Sequence, residues 1–285
     1  MILVTGAGGT VGSELIRQLE TAGAKFRAAF HTGTKAKAAR EKGLDAVLID
    51  FQKPETLRAA LKGVDKLFLL SNGGQIQVDL ESNAVKAAKE SGVKHVVKLS
   101  VFGAEEEEFL FAKKIHRPIE KAIQNSGLAW TFLRPTGFMQ NMANFNGPTI
   151  KSQGAFYASV GEARMSHVDV RDVAAVGVKA LTEPGHEAKA YTLTGPEALS
   201  YPQMAEKLSK AIGRKVNYVN LAPDQLKQGM LGAGVPDAYA DLLLDLERFF
   251  RADKASKVTT DVRKVTGRDP INFDQYAKDS AAAFT

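Results

Sequence analysis

The first 135 residues alternate between short apolar segments and amphipathic segments, and this alternation constrains the fold more than any other sequence feature. Strands are predicted for the apolar segments, at residues 2–5, 26–31, 46–50, 66–71, 95–99 and 129–133. Helices are predicted between them, at residues 11–22, 34–42, 54–61, 79–91 and 111–125. Strands and helices that alternate over short connections form a parallel sheet covered by helices on both faces. Because such crossovers are right-handed, we predict a doubly wound α/β fold.

The second half of the chain lacks this regular alternation. Short strands are predicted at residues 155–160, 164–168 and 190–193, and helices at 170–181 and 272–284. Residues 202–250 have a mostly helical pattern, with interruptions near Gly213 and Gly232. We therefore predict a core at residues 1–135 and a smaller mixed α/β lobe at residues 136–285, wrapped onto the core rather than folding independently.

Composition excludes several functional classes. The 285 residues include no cysteine, so disulfides, thiolate chemistry and Cys-ligated metal sites are excluded. The five histidines show no metal-ligand spacing, so no metal is expected. Apolar runs are too short to cross a membrane, and Met1 leads directly into a predicted strand, so we expect a cytoplasmic protein.

Net charge is distributed unevenly along the chain. Residues 1–150 contain 20 Lys and Arg against 15 Asp and Glu, which gives +5 of the total of +6. A basic first half would help to hold an anionic ligand or nucleic acid, and it is equally compatible with an ordinary protein surface. A role in binding DNA would rest on charge alone, because no helix-turn-helix pattern is present.

A glycine-rich loop lies between the first predicted strand and the first predicted helix. Gly6, Gly9 and Gly12 recur at three-residue spacing, and Thr10 and Val11 lie between the last two. Glycines at this spacing allow a tight turn, close approach of the backbone to a pyrophosphate, and close packing of strand and helix. The helix N-terminus adds unsatisfied N–H donors. A purely structural turn is the alternative, but the strand–loop–helix context predicts a dinucleotide site of the Rossmann type.

The end of the second predicted strand favours NADP(H) over NAD(H). NAD-binding folds usually place an Asp or Glu there to bind the ribose 2′-OH, whereas this sequence has no carboxylate between Glu20 and Glu41. His31, Thr32 and Lys35 instead offer a positive charge and hydrogen-bond donors to a 2′-phosphate. Lys37 and Arg40 fit the solvated face of a helix.

Further cofactor contacts are expected where the next strands end, because ligands of open α/β sheets bind at the carboxyl ends of the strands. The expected residues are Asp50 and Phe51 at the adenine, then Ser71, Asn72 and Gly73, and finally Ser100. For Asp50, an equally good interpretation is the N-cap of the following helix.

Three segments, together with the glycine loop, resemble a known family: residues 131–135 (TFLRP), 137–141 (GFMQN) and 167–174 (HVDVRDVA). The chain resembles the NmrA-like atypical short-chain dehydrogenases, and within them the NADPH-dependent quinone reductases and triphenylmethane reductases. This resemblance implies an NAD(P)-binding core at residues 1–135 and a substrate lobe at residues 136–285.

The sequence departs from the wider superfamily at the catalytic positions. The resemblance implies a Tyr-xxx-Lys pair on the helix after the fifth strand, but Ala112 and His116 stand at those positions when Glu120 is used as the anchor. None of the six tyrosines has a Lys four residues later. Carbonyl reduction needs a proton donor, whereas hydride addition to a quinone leaves a weakly basic phenolate that water can protonate.

His116 is the predicted catalytic residue, as a polar group beside the nicotinamide. The alternative is a structural pair with Glu120 at i, i+4. Phe138, Met139 and Asn141 follow the sixth predicted strand, and they either line the acceptor site or pack within the lobe.

We predict an NADPH-dependent oxidoreductase that transfers hydride to a small aromatic acceptor such as a quinone or a dye. The first alternative is a redox sensor that binds NADP(H) without turnover and acts through a protein partner. A nucleotide-sugar epimerase or dehydratase fits less well, because those reactions depend on the missing Tyr-xxx-Lys pair.

Overall fold

A seven-stranded parallel sheet organises the first part of the chain. The computed structural model describes residues 1–71, 74 and 76–285. The strands are β1 (Ile2–Val4), β2 (Phe26–Phe30), β3 (Ala46–Leu48), β4 (Lys66–Leu69), β5 (His95–Leu99), β6 (Ala129–Pro135), β7 (Ala155–Ala158), β8 (Arg164–Met165), β9 (Lys189–Leu193), β10 (Leu199–Ser200) and β11 (Asn217–Asn220). In the main sheet their order is β3-β2-β1-β4-β5-β6-β9. The order reverses between β1 and β4, which is where doubly wound sheets bind ligands.

Helices connect the strands at nearly all the predicted positions. They are α1 (Thr10–Thr21), α2 (Gly33–Glu41), α3 (Pro54–Leu61), α4 (Gln77–Glu90), α5 (Arg117–Asn125), α6 (Gly147–Gln153), α7 (Val170–Thr182), α8 (Tyr201–Ile212), α9 (Pro223–Gly232), α10 (Asp237–Arg251), α11 (Asp261–Thr266) and α12 (Phe273–Asp279). Every pairing between neighbours from β1 to β6 is parallel. The predicted doubly wound α/β fold is confirmed.

The predicted helix at residues 111–125 is helical in the structure, but most of its first turn is π-helix rather than α-helix. A turn of π-helix at Ala112–His116 precedes α5, and a second one at Met142–Asn146 precedes α6. One wide turn shifts the side chains that follow it, and such turns occur often at functional sites. Helix α6 forms despite its Gly147-Pro148 start, because Pro148 lies in the first turn, where its missing N–H is not needed.

Both faces of the sheet are covered by helices, one of which, α7, comes from the second half of the chain. On one face, Leu67, Val96 and Phe132 of the central strands pack with residues of α3, α4 and α5. On the other face lies Gly177 of α7, where an added methyl group would contact Leu15 of α1 at 3.2 Å. Burial on both faces explains why these strands are continuous apolar runs rather than alternating ones.

The chain divides into two compact units. The first unit comprises Met1–Glu105, Lys113–Arg134 and Val173–Tyr191, and the second unit comprises Glu106–Ala112, Pro135–Asp172 and Thr192–Thr285. This division differs from the predicted boundary after residue 135, because α7 returns to cover the sheet. The second unit has its own core, formed among others by Ile150, Phe156 and Leu208.

In the described ranges, no helix is long and apolar enough to span a membrane. Over the same residues, the His, Asp and Glu side chains form no group of three or more suited to hold a metal ion.

Candidate functional site

The glycine loop after β1 is as tight as its sequence predicts. Gly6 has a φ of +66°, and its O accepts a hydrogen bond from the N–H of Gly9 at 3.0 Å. A methyl group on Gly12 would lie 2.1 Å from that same oxygen, so only glycine fits there. The loop therefore brings the start of α1 directly against the end of β1.

The N-terminus of α1 is open to an anion. Helix α1 begins at Thr10, and its N-cap is Gly9, which has no side chain to cap the first turn. No acidic residue occurs in that turn, which continues through Val11 and Gly12. The N–H groups and partial positive charge of a helix N-terminus suit a phosphate. Together with the tight loop, this arrangement fits a pyrophosphate.

The carboxyl end of β2 lies beside this loop and carries basic side chains. Lys35 Nζ donates to the main-chain oxygen of Gly8 at 3.3 Å, and His31 is exposed. Thr32 is the N-cap of α2, but its side chain does not cap the helix. Thr32 Oγ1 is buried and has no hydrogen-bond partner among the residues that the structure describes. A buried hydroxyl beside two basic side chains fits a phosphate ligand.

Two other basic residues of α2 have structural partners. Lys37 lies 3.9 Å from Glu41 on the exposed face of the helix. Arg40 Nε donates to the main-chain oxygen of Ala46 at 2.7 Å. These contacts agree with the interpretation of both residues as part of the helix surface.

Asp50 and Phe51 follow β3. The alternative role of Asp50 as a helix cap is wrong, because the N-cap of α3 is Lys53. Asp50 Oδ1 instead accepts from the N–H of Gln52 at 2.9 Å and leaves its carboxylate 43% exposed. Phe51 is buried in the core of the first unit. Their proposed contacts with an adenine remain a prediction.

Ser71, just beyond β4, is held by a buried carboxylate. Glu81 Oε1 accepts from Ser71 N at 3.2 Å, from Ser71 Oγ at 2.9 Å and from Gln77 Nε2 at 3.0 Å. Glu81 Oε2 lies 2.8 Å from Lys98 Nζ, and both charged side chains are fully buried. The other two residues predicted here, Asn72 and Gly73, lie outside the described residues.

Ser100, just beyond β5, belongs to a second buried network. Its hydroxyl donates to Glu120 Oε1 at 2.5 Å. Arg134 donates to the same carboxylate from Nε, at 3.0 Å, and from Nη2, at 2.7 Å. Its Nη1 also pairs with Glu105 at 2.5 Å. The network connects the carboxyl ends of β5 and β6 with α5.

His116 is the last residue of the first π-helical turn. Burial, and then the nearby charge of Lys98, hold the pKa of its imidazole well below its usual value of 6.5. Glu120, the alternative partner of His116, has its carboxylate bound by Ser100 and Arg134. His116 is therefore uncharged at neutral pH, and it can donate or accept a hydrogen bond.

The residues predicted to line the acceptor site lie in the second unit. Phe138 pairs with Val168 in an isolated bridge, and Asn141 N donates to the oxygen of Phe138 at 3.0 Å. Both side chains are partly exposed, whereas Met139 is 1% exposed within the core. This favours the packing alternative for Met139. Further along, on the second π-helical turn, Phe145 is 73% exposed.

Comparison with known proteins identifies the family. A model of the NmrA-like family matches residues 1–277. This chain belongs to the NmrA-like family. Its sequence is 41% identical over 284 residues to an NAD(P)H azoreductase of Xenophilus azovorans, a match that covers 100% of this chain and 99% of the relative.

Two solved structures of similar fold carry a nicotinamide cofactor. One is the NADPH-dependent quinone oxidoreductase QOR2 of Escherichia coli complexed with NADPH, with a TM-score of 0.88 and 27% identity over 98% of this chain and 99% of that one. The other is the Citrobacter sp. triphenylmethane reductase complexed with NADP(H), with a TM-score of 0.87 and 27% identity over 99% of this chain and 100% of that one. The resemblance stated from the sequence is confirmed.

Three charged residues at the site of this NmrA-like chain were not predicted from the sequence, two of them fully buried and the third, Arg134, partly buried. Lys98 and Glu81 form one ion pair, and Arg134 completes the other network. The available signal was the charge of Lys98 near the end of an apolar run, since a lysine within a buried strand needs a partner. Its partner Glu81 lies on α4, and nothing local in the sequence indicates that pairing.

Proposed function

We propose that this chain is an NADPH-dependent reductase that transfers hydride to a small aromatic acceptor, such as a quinone or a triarylmethane dye. One observation carries the cofactor assignment: Lys35 binds the oxygen of Gly8, in the loop that leads into the open N-terminus of α1, and the N-cap of the helix that carries Lys35 is Thr32, whose buried hydroxyl has no partner among the described residues. The relatives support the assignment, since they include an NAD(P)H azoreductase and a quinone oxidoreductase complexed with NADPH.

Each part of the cofactor has a proposed set of contacts. The pyrophosphate would meet the loop and first turn formed by Gly6, Gly9, Thr10, Val11 and Gly12. The 2′-phosphate would meet the side chains at the end of β2, and the adenine would meet those after β3. The nicotinamide half would then extend towards the ends of β4 and β5. The residues proposed for these three regions are His31, Thr32, Lys35, Asp50, Phe51, Ser71 and Ser100.

The proposed reaction does not require a proton donor from the protein. The reduced nicotinamide supplies a hydride when bound. A quinone that takes up hydride becomes a stabilised phenolate, which water protonates, and a cationic dye becomes neutral without a proton. This fits a chain in which the buried Ala112 stands at the tyrosine position of the wider superfamily.

His116 then acts as a hydrogen-bonding group rather than as a proton donor. Its pKa is lowered well below 6.5, so the imidazole is neutral at the pH where quinones are reduced. A neutral imidazole can orient the ribose or the acceptor oxygen through one N–H. Phe138, Asn141 and the exposed Phe145 are proposed as contacts of the aromatic acceptor.

The deciding experiment is NADPH oxidation by the purified protein with a panel of quinones and triarylmethane dyes, with NADH measured in parallel. We expect saturable turnover that prefers NADPH and that Gly9→Asp abolishes, because a carboxylate there would repel the pyrophosphate. Phe145→Ala serves as a second variant, and it should raise the KM for the acceptor without changing the affinity for NADPH. Tight binding of NADPH without turnover across the panel would refute the proposed reductase activity. It would indicate instead a redox sensor that binds NADP(H).

A further inference from the structure

A lysine lies inside the central sheet of the first unit. Lys98 occupies the fourth position of β5, in register with Leu69 of β4 and Phe132 of β6. Its side chain is fully buried, and its Nζ donates to the oxygen of Leu99 as well as pairing with Glu81. Burying an ion pair seldom adds stability relative to apolar residues of similar size. Stability alone therefore does not account for the pair.

Glu81 holds two separate points of the chain with a single oxygen. Its Oε1 accepts both donors of Ser71, at the carboxyl end of β4, and the amide of Gln77, at the start of α4. All three residues are buried. With Lys98 on the other oxygen, the carboxylate is oriented from both sides, so it can fix Ser71 in one place.

The end of β4 lies directly beside the glycine loop. Thr5 Oγ1 donates to the oxygen of Leu70 at 2.8 Å, and Leu70 N donates back to Thr5 Oγ1 at 2.8 Å. A methyl group on Gly6 would lie 2.8 Å from the side chain of Leu70. Ser71 therefore follows the residue that adjoins the proposed pyrophosphate site, at the point where the strand order reverses.

The direction of the bound dinucleotide follows from the sheet order. With the adenine beyond β2 and β3 and the pyrophosphate at α1, the nicotinamide half must lie towards β4 and β5. Ser71 is at that side. Lys98 also acts on His116, because its charge helps to keep the imidazole neutral.

We propose that Glu81, oriented by Lys98, is a positioning residue for the nicotinamide half of the cofactor, acting through Ser71. It touches neither cofactor nor acceptor itself. This inference rests on the proposed function, since it needs NADPH to bind at the β1–β4 crevice.

Two double variants separate positioning from stability. Lys98→Met/Glu81→Gln removes both charges and keeps an oxygen that can accept from Ser71. Lys98→Met/Glu81→Leu removes both charges and the acceptor. Because neither variant leaves an unpaired buried charge, both should fold. Their unfolding curves and the amide exchange of Ser71 report the structural effect, and NADPH titration reports the functional one.

We expect the Leu variant to bind NADPH about 10-fold more weakly than the Gln variant, which is the size of effect that losing hydrogen bonds to one acceptor produces. The Gln variant should stay within about 3-fold of the native chain, and amide exchange at Ser71 should rise only in the Leu variant. Asp172→Asn is the matched control, because Asp172 is an equally buried carboxylate, held by Arg268 and the N–H of Ile271 in the second unit. It should lose stability without losing affinity for NADPH.

Equal affinity for NADPH in the two double variants would overturn the proposal, whatever their stabilities. That result would leave the proposed function intact, provided that the native chain binds NADPH. Failure of the native chain itself to bind NADPH would refute the proposed function and this inference together.

Discussion

Gly12 lies so close to Gly6 that a methyl group on Gly12 would be 2.1 Å from the Gly6 oxygen and 3.1 Å from the Cα of Ala7. Both neighbours are main-chain atoms, which cannot move aside as a flexible side chain can. Gly9 differs, because among the described residues a methyl group there would contact the Gly6 oxygen alone, at 3.4 Å. The glycines of one motif therefore differ: Gly12 is required for packing, whereas at Gly9 a methyl group could be accommodated, and we propose that its absence leaves space for the ligand.

Exchanging each glycine for alanine should separate these purposes. Gly12→Ala should destabilise the protein by about 2–3 kcal/mol or more, because the methyl group forces the loop away from the helix. Gly9→Ala should cost under about 1 kcal/mol and should still weaken NADPH binding about 10-fold, since it fills space at the pyrophosphate. Urea unfolding and NADPH titration test both. Equal loss of stability in the two variants would contradict the assignment.

Lys35 should set the preference for NADPH. Lys35→Ala should weaken NADPH binding about 10- to 100-fold, the range expected for a charge-assisted hydrogen bond to a phosphate, and should leave NADH binding unchanged. Lys37→Ala is the control, because Lys37 lies on the same helix and pairs with Glu41 at its surface. If both nucleotides weaken equally in Lys35→Ala, the assignment of Lys35 and His31 to the 2′-phosphate is wrong.

Thr32→Val tests the same site through stability. The hydroxyl of Thr32 is buried without a hydrogen-bond partner among the described residues, and valine has the same shape without it. We expect the ligand-free variant to be more stable by up to about 1 kcal/mol, because no desolvated hydroxyl remains. NADPH should raise the thermal unfolding midpoint of the variant by less than it raises that of the native chain. A variant less stable than the native chain without ligand would show that the hydroxyl has a structural role.

The parts of the fold that the sequence predicted are those specified locally. Continuous apolar runs and the glycines between them are sufficient to place β1 to β6 and their helices. The short strands β10 and β11 were not predicted, because each is defined by a distant partner: β10 pairs with β8, and β11 with β7. The π-helical turn before α5 was also missed, since its residues suit an ordinary helix.

The site divides in the same way. The glycine motif and the absence of a carboxylate after β2 are local patterns, so the cofactor side could be inferred from them. The ion pair of Lys98 and Glu81 joins β5 to α4, and the ion pair of Arg134 and Glu120 joins β6 to α5. Such pairings depend on which elements the fold brings together, and this information is not present in any one segment.

His116→Ala should lower turnover rather than affinity for NADPH. We expect kcat with a quinone to fall about 10-fold, the scale of one lost hydrogen bond at the reacting group. Because the pKa of His116 is held well below 6.5, the native pH profile of kcat should show no inflection near 6.5 that the variant removes. Lys113→Ala, an exposed change in the same turn, is the control. An inflection near 6.5 that disappears in His116→Ala would mean that the imidazole titrates during turnover.

His95 should make the protein sensitive to acid. Its Nε2 donates to Thr131 Oγ1 at 2.8 Å, because the hydroxyl proton of Thr131 is given to the oxygen of His186 at 2.6 Å. Burial, and then the charge of Lys66, lower the pKa of His95 from 6.5 to about 4. The unfolded chain, with a pKa near 6.5, therefore binds more protons than the folded one at mildly acidic pH. The stability that neutral, buried His95 contributes is complete above pH 6.5, and it is lost as the pH falls towards 4.

The loss due to His95 should approach about 3.5 kcal/mol below pH 4, which is the difference between pKa values of 6.5 and about 4 at about 1.4 kcal/mol per pKa unit. His95→Gln keeps an N–H donor for Thr131 and cannot take up a proton, so its unfolding free energy should fall less between pH 7 and pH 4.5. His167 provides an internal comparison, because burial lowers its pKa to about 4 as well, and its share of the acid sensitivity should remain in the variant. Urea unfolding of both proteins at several pH values measures the difference. Parallel curves would show that His95 is already charged in the folded protein or stays buried in the unfolded chain.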